Sequence, residues 1–325
     1  MKETQGLVII IDALNLFTRH FISHPAVNSN GQHAGGVVGF LYAIISFAEM
    51  YSPDQVIVVW EGGGSSRRRA IYSDYKQRRK PEKLNRFYED DIPNTVENRN
   101  SQISLIVEIL KKLPVCQIYV EDCEADDVIG YISKYKFLNN RKMIVSSDRD
   151  FYQLLDKNTI IYSPTWKKLV TSIEVRDKFG ISPDNFCLAK SICGDVSDNI
   201  KGVPGVGFKT VAKRFPEMKE NNTVTIQDII DASRERIKDG SKIKIYQRIV
   251  DSESLIRRNW KLIYLDTICL AASQIKKIND IIDTFEPVRN KIQVMRIFIR
   301  EGIQTFNVDR MFLAYNRVGA SFGKQ

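Results

Sequence analysis

Histidine is nearly absent from the chain, and cysteine is sparse and odd in number. The three histidines, His20, His24 and His33, stand near the start at irregular spacing, and no CxxC pair occurs among the five cysteines. Zinc ligation needs regularly spaced nitrogen and sulfur donors, so a zinc site is not expected, and neither is a disulfide framework. No GxSxG elbow and no Cys–His pair points to covalent catalysis. No apolar run approaches the roughly 18 residues of a membrane span. The longest runs, such as "LVIII" and "VIVVW", are of strand length. The opening "MKETQGLVIIIDAL" lacks a long apolar core followed by a small-residue cleavage site, so no signal peptide is expected. These absences point to an intracellular, reduced, cytoplasmic setting without membrane contact, and to a monomer.

What is present is a globular composition with a basic excess. The 325 residues are 43% hydrophobic and 27% charged, enough for one large domain or two ordinary ones. The net charge of +9 favours a polyanionic partner. That charge is uneven. The segment "SSRRRAIYSDYKQRRKPEKLNR" (65–86) holds nine Lys or Arg against two acids, a local excess of +7, with Tyr72 and Tyr75 interleaved. Basic residues alternating with stacking rings suit a grip on single-stranded nucleic acid better than a merely solvated helix face.

The first 165 residues repeat one rhythm: a short β-branched run, an acidic residue, then a helical pattern. "LVIII" ends at Asp12, "QVIVVW" at Glu61, "VCQIYV" leads to Glu124, Asp126 and Asp127, and "KMIVSS" to Asp148 and Asp150. Near-continuous apolar strands separated by helices such as "GVVGFLYAIISFAEMY" and "DDVIGYISKYKFL" predict a parallel sheet covered on both faces. Ligands bind beyond the carboxyl ends of such strands, and every acid named falls there. One acid after a strand is an ordinary helix cap. Four strands delivering acids to one edge make a like-charge cluster that costs stability unless something binds it. After about residue 170 the strand pattern stops. "TSIEVRDKFG" reads as a helix started by Thr171 or Ser172 and stopped by Gly180, and further helical stretches follow. The expected division is an α/β domain over 1–170, with the basic segment at about 65–100, and a mainly helical domain over 171–325 ending in a frayed tail, "NRVGASFGKQ".

Carboxylates without His or Cys partners suit hard cations, Mg²⁺ or Mn²⁺. Glu124 and Asp127 are three apart at a helix start and share a face, with Asp126 turned aside toward a second ion or an outer shell. Asp148 and Asp150 flank one residue in an extended stretch and point the same way. Asp195 and Asp198 are again three apart. With Asp12 and Glu61 these make nine acids, more than one ion needs. Two ions would clamp the attacking and leaving oxygens of a phosphodiester. A cation should then reach the phosphate from the opposite side, and Lys76 or Arg79, beside Tyr75, fits.

The stretch "GDVSDNIKGVPGVGFKT" (194–210) places Gly202, Gly205 and Gly207 before Lys209 and Thr210. A nucleotide-hydrolase loop would read GxxxxGK[ST]. Here one residue too many precedes Lys209, and no strand directly precedes the loop.

In order, "IDALNLFTR", "WEGGGSSRRR", "YKQRR", "EADD", "SSDRDFYQL" and "GDVSDNIKGVPGVGFKTVAKRF" resemble the motifs of the 5′-nuclease superfamily of flap endonucleases and 5′–3′ exonucleases. The resemblance spans about residues 6–265. It implies a PIN-like α/β nuclease core with a helical arch, followed by a helical domain with a helix-turn-helix or helix-hairpin-helix DNA grip. It implies cleavage of flapped, nicked or RNA-primed DNA with two Mg²⁺, leaving 5′-phosphate and 3′-hydroxyl ends. Asp12, Glu124, Asp126, Asp127, Asp148, Asp150, Asp195 and Asp198 match the family's metal acids. Lys76 and Arg79 match its catalytic arch cations, with Tyr75 near the phosphate and Arg67, Arg68 and Arg69 on nucleic acid. Gly202, Gly205, Gly207, Lys209 and Thr210 match the duplex grip, where relatives also hold a monovalent cation such as K⁺. Glu61 departs from the family's Asp and is one methylene longer. No polymerase sequence follows, so a stand-alone member is expected. A branched-DNA binder without activity would have lost these acids, and a small single-domain ribonuclease would lack the arch and the helical domain.

Overall fold

The computed structural model describes residues 6–77, 96–304, 306–316 and 318–319. Arg79 and about half of the expected arch lie outside the described residues. The strands are β1 (Leu7–Asp12), β2 (Gln55–Trp60), β3 (Cys116–Tyr119), β4 (Arg141–Val145), β5 (Thr159–Ser163), β6 (Lys168–Val170), β7 (Gly194–Asp195) and β8 (Ile200–Lys201). The helices of the first half are α1 (Ala13–Ser23), α2 (Gly35–Tyr51), α3 (Ser66–Ile71), α4 (Val96–Leu110) and α5 (Ala125–Tyr135). Those of the second half are α6 (Ser172–Phe179), α7 (Pro183–Cys193), α8 (Phe208–Arg214), α9 (Ile226–Lys238), α10 (Lys244–Asp251), α11 (Glu253–Ile263), α12 (Ala272–Asp283), α13 (Lys291–Arg300) and α14 (Val308–Ala314).

Strands β1 and β2 are apolar at nearly every position because both faces of the sheet are covered. Val8, Ile10, Ile57 and Val59 face one core with α5 and the helices of the second half. Ile9, Ile11, Val56 and Val58 face the other, with α1, α2 and α4. The strand order is β3-β2-β1-β4-β5-β6. The first five are parallel, as expected, and β6 adds an antiparallel edge to β5. The chain runs outward from β1 through β2 to β3, then crosses back to β4. A crevice therefore opens at the carboxyl ends of β1 and β4, the switch point where such sheets bind ligands.

The helix at "TSIEVRDKFG" follows its sequence signals closely. Thr171 caps it through a reciprocal bond with Glu174, and Gly180 ends it at φ +66°. The second half is mainly helical, with β7 and β8 forming a short antiparallel hairpin within it. One expectation changes: the C-terminal segment is not a simple continuation of the helical unit. Val294, Ile297, Phe298, Met311, Tyr315 and Val318 are buried in the α1–α2 side of the sheet core. Arg300 and Arg310 clasp Glu108 and Glu49 through two hydrogen bonds each. Gly319 N–H donates to the Asp54 carbonyl at 2.6 Å, so the expected frayed tail is docked at least to that point. Among the described residues no helix is long and apolar enough to cross a membrane.

Truncating Phe298 to Ala should cost about 3–5 kcal/mol, read as a lowered urea midpoint. A loss under about 1 kcal/mol would mean that α13 is not part of the α1–α2 core.

Candidate active site

The crevice is lined by acids from every neighbouring strand end. Asp12 ends β1 and caps α1 by accepting from Asn15 N–H at 3.2 Å, and it also accepts from Ser146 Oγ at 2.9 Å. Glu61 follows β2 and accepts from Ala125 N–H at the start of α5. Glu124 caps α5, and Asp148 follows β4. With Asp126, these carboxylates line a cavity of about 360 Å³ that Tyr75 and Lys76 also enter. Asp148 continues into an adjoining cavity of about 400 Å³ containing Lys190 and Asp195.

The expected direction of Asp150 is corrected. Asp148 caps a 3₁₀ turn over Arg149–Leu154, and Asp150 N–H donates to Asp148 Oδ1 at 2.8 Å. This turn is not extended, so the two side chains diverge. Asp148 lines both cavities, whereas Asp150 joins Asp195 and Asp198, each offering an oxygen within 4.8 Å of the others. Asp195 and Asp198 reach that cluster from the β7–β8 hairpin rather than from a helix face.

Asp127 and Arg68 need larger revisions. Arg68 is 2% exposed, which withdraws it from any nucleic-acid surface. Its two terminal nitrogens bond both Asp127 oxygens at 2.6 and 2.7 Å, its Nε donates to the Leu262 carbonyl at 2.8 Å, and Nη1 also meets Glu124 at 3.2 Å. Both Asp127 oxygens are thereby committed, so its carboxylate braces the helix start instead of facing the cavity. Arg68 ties α3, α5 and α11 together. Tyr75 is likewise buried, donating to Glu124 at 2.9 Å rather than presenting an open stacking face. Arg67 bonds the Lys261 carbonyl, and Arg69 is exposed and borders the acidic cavity.

Two lysines provide counter-charge. Lys76 is 19% exposed, with Nζ 2.7 Å from Glu124 and 3.9 Å from Asp198. Its backbone sits at φ +57°, in the left-handed region, and its N–H donates to the Asp198 carbonyl. A lysine held there marks an over-determined position. Lys190, on α7, lies between Asp150 and Asp195, 2.6 Å from the latter. Sequence reasoning missed it; the only signal was a Lys on the buried side of "FCLAKSICG".

The electrostatics record the crowding. Burial, then repulsion from Asp148 and Glu61, pushes Asp12 up to about 7. Burial, opposed by Lys190, leaves Asp150 up at about 7. Asp126 is raised by burial and by Asp148. Glu124 and Asp195 stay below their usual values because Arg68 and Lys76, and Lys190, outweigh their burial. An all-oxygen donor set, desolvated and mutually repelling, fits hard divalent cations.

The glycines divide in role. A Cβ at Gly202 would overlap the Cys193 carbonyl, so Gly202 serves the hairpin's close approach to α7 rather than a DNA contact. Gly205 turns the chain at φ +74°, where Arg248 Nη1 donates to the Pro204 carbonyl at 3.1 Å. Gly207 caps α8 and has open space around it, while Lys209 is exposed and Thr210 half-buried.

Parallel strands with acids at their switch point define an α/β protein of resolvase-like build. The chain belongs to the 5′–3′ exonuclease family: the model for its N-terminal resolvase-like domain matches residues 7–180. The 5′–3′ exonuclease of Buchnera aphidicola (subsp. Acyrthosiphon pisum) is 30% identical over 206 residues, 62% of this chain and 68% of that protein. DNA polymerase I of Caldicellulosiruptor bescii is 30% identical over 243 residues, 72% of this chain. The chain spans only 27% of that polymerase's length, and 66% of the Aquifex aeolicus 5′–3′ exonuclease. A solved structure of bacteriophage T5 flap endonuclease, a pseudo-enzyme–product complex with DNA and metal ions, matches with a TM-score of 0.66 and 25% identity. That match covers 85% of this chain and 97% of the T5 chain.

The raised acids give a pH prediction. Asp12 and Asp150 bind protons more tightly folded than unfolded, so their contribution to stability falls as pH rises to and through about 7. His20, lowered to about 4 by burial, has ceased to contribute by then. Divalent cations favour the deprotonated form. The rise in Tm on adding Mg²⁺ should therefore grow between about pH 6.5 and about pH 8.5. A rise independent of pH would contradict it. Separately, Arg68→Met leaves Asp127 buried and unpaired and should cost about 3–5 kcal/mol in denaturant titration.

Proposed function

We propose that the chain is a divalent-metal-dependent, structure-specific 5′ nuclease. Its substrates are flapped, nicked or RNA-primed DNA, and its products carry 5′-phosphate and 3′-hydroxyl ends. The observation that carries this reading is the convergence at one switch point of two adjoining carboxylate groups with Lys76 between them. Asp12, Asp126 and Asp148, with Glu124, would hold one ion, and Asp150, Asp195 and Asp198 the other. Mg²⁺ is the natural occupant of such a set, and Mn²⁺ can substitute for it. When bound, such ions make a water nucleophilic near neutral pH and offset charge on the phosphodiester.

The protein's own residues do the rest. Glu61 fixes the start of α5, so that the acids around it keep their positions. Arg68 and Asp127 lock α3 against α5 and α11, and thereby set where Tyr75 and Lys76 enter the cavity. Lys76 is the exchangeable cation. It neutralises Glu124 and Asp198 in the free protein, and an arriving phosphate offers its ammonium a second anion at the same place. Tyr75 keeps Glu124 oriented through its hydroxyl. The exposed Arg69 and Lys209 supply sequence-independent phosphate contacts on either side, and Gly205 and Gly207 open the turn before α8 for a duplex backbone. A K⁺ at that turn, as the family resemblance implies, would act there as a further backbone contact.

The test is cleavage of a 5′-flap duplex with Mg²⁺ and with EDTA. Asp148→Asn should lower kcat by roughly a hundredfold or more. Lys76→Ala should lower kcat by about 10²-fold with little change in KM, since its contact is made as charge develops. Full activity in EDTA, or an Asp148→Asn enzyme as fast as the parent, would sink the reading.

A further inference from the structure

The last turn of a helix leaves carbonyls with no partner inside the helix. At the end of α11, side chains from the acid-bearing half of the chain take them. Arg67 Nη2 donates to the Lys261 carbonyl at 3.3 Å, Arg68 Nε to the Leu262 carbonyl at 2.8 Å, and Gln153 Nε2 to the Ile263 carbonyl at 3.0 Å. Gln153 belongs to the 3₁₀ turn and stands three residues after Asp150. Its Nε2 also donates to the Asp150 carbonyl at 2.9 Å, and its Oε1 accepts from Leu265 N–H at 3.0 Å. One amide side chain therefore fastens the backbone of Asp150 to the segment where α11 ends.

One turn earlier, Asn259 makes a matching tie. It is buried, and its Nδ2 donates to the Ser191 carbonyl at 3.0 Å and to the Lys201 carbonyl at 2.8 Å. Arg258 Nη2 donates to Asn259 Oδ1 at 3.2 Å and so holds the amide in that orientation. Ser191 lies in the last turn of α7 and Lys201 in β8. The two bonds close the base of the hairpin that carries Asp195 and Asp198. Thus the group Asp150, Asp195 and Asp198 comes from two elements distant in sequence, each tied to α11 by one amide. Lys190 bridges Asp150 and Asp195 directly, but an ammonium between two carboxylates fixes neither backbone.

We propose that Gln153 and Asn259 are positioning residues for the cation held by Asp150, Asp195 and Asp198. The proposal rests on the nuclease reading above and deepens it. Neither side chain lines either acidic cavity. Both act through the backbone that carries the acids. A divalent cation binds tightly where carboxylate oxygens already stand at fitting separations, and hydrogen bonds behind the ligands set those separations. Losing either amide lets the 3₁₀ turn and the hairpin drift relative to each other. The ion among Asp12, Glu124, Asp126 and Asp148 does not depend on the hairpin.

The experiment titrates Mn²⁺ alone into the full chain and reads the free ion by electron paramagnetic resonance. Asp198→Asn identifies which binding step belongs to this group. Gln153→Met and Asn259→Leu should each weaken that step about 10- to 100-fold and leave the other step within about twofold of the parent. On a 5′-flap duplex both variants should need correspondingly more Mg²⁺ to reach half-maximal kcat, with KM for DNA little changed. Ile256→Val trims the buried face of the same helix without removing a hydrogen bond. It should lower Tm and move neither Mn²⁺ step. Gln153 is half-buried, so Gln153→Met carries the test if Asn259→Leu does not fold. An unchanged step in Gln153→Met, equal weakening of both steps, or weakening of the other step alone would overturn the proposal and leave the nuclease reading standing. A parent chain that binds no Mn²⁺ and cuts no flap would overturn the nuclease reading, and the proposal with it.

Discussion

Like-charge repulsion at the carboxyl edge of the sheet is the constraint around which this molecule is arranged. Parallel strands must end together, and here their ends bring acids into a buried crevice. Isolated carboxylates in such a place would neutralise themselves by taking up protons, and Asp12 and Asp150 are indeed driven toward that. The fold answers with three buried or half-buried cations. Arg68 takes Asp127, Lys76 takes Glu124, and Lys190 takes Asp150 and Asp195.

The three cations differ in how firmly they are held. Arg68 makes bidentate, wholly buried contacts and also bonds a carbonyl of α11, so it is part of the scaffold. Lys190 is buried on α7 between two acids and joins the second half of the chain to the first. Lys76 is the most exposed of the three and follows a left-handed residue geometry fixed by one backbone bond to Asp198. A gradient from locked to exchangeable charge suits a site that must exist before its ligands arrive and then hand over its counter-ions to them.

Much of this was legible from the sequence. The fully apolar strands, the acid after each, and the capped helix at Thr171–Gly180 are local signals, and local signals survive folding. The placements that failed depended on the rest of the chain. The triplet Arg67–Arg68–Arg69 reads as a uniform basic patch, yet the helix geometry of α3 turns one member inward and leaves Arg69 outside. Asp148 and Asp150 read as an extended pair, but a 3₁₀ turn begins after Asp148, and Asp150 joins Asp195 and Asp198. Lys190 has no motif of its own, because its role comes from α7 lying against the 3₁₀ turn. Gly202 looked like a phosphate contact and proved to be needed for a backbone approach to Cys193. The docking of Val318 into the α1–α2 side of the core could not be read from a tail rich in small and polar residues.

The central claim is that the two adjoining carboxylate groups, one containing Asp148 and the other Asp150, are two cation sites. Anomalous diffraction from crystals of the full chain soaked in Mn²⁺ tests this most directly. The account predicts two peaks, one among Asp12, Asp126 and Asp148 and the other among Asp150, Asp195 and Asp198, with Lys190 displaced from its present partners. A single peak, or peaks outside both groups, would contradict it.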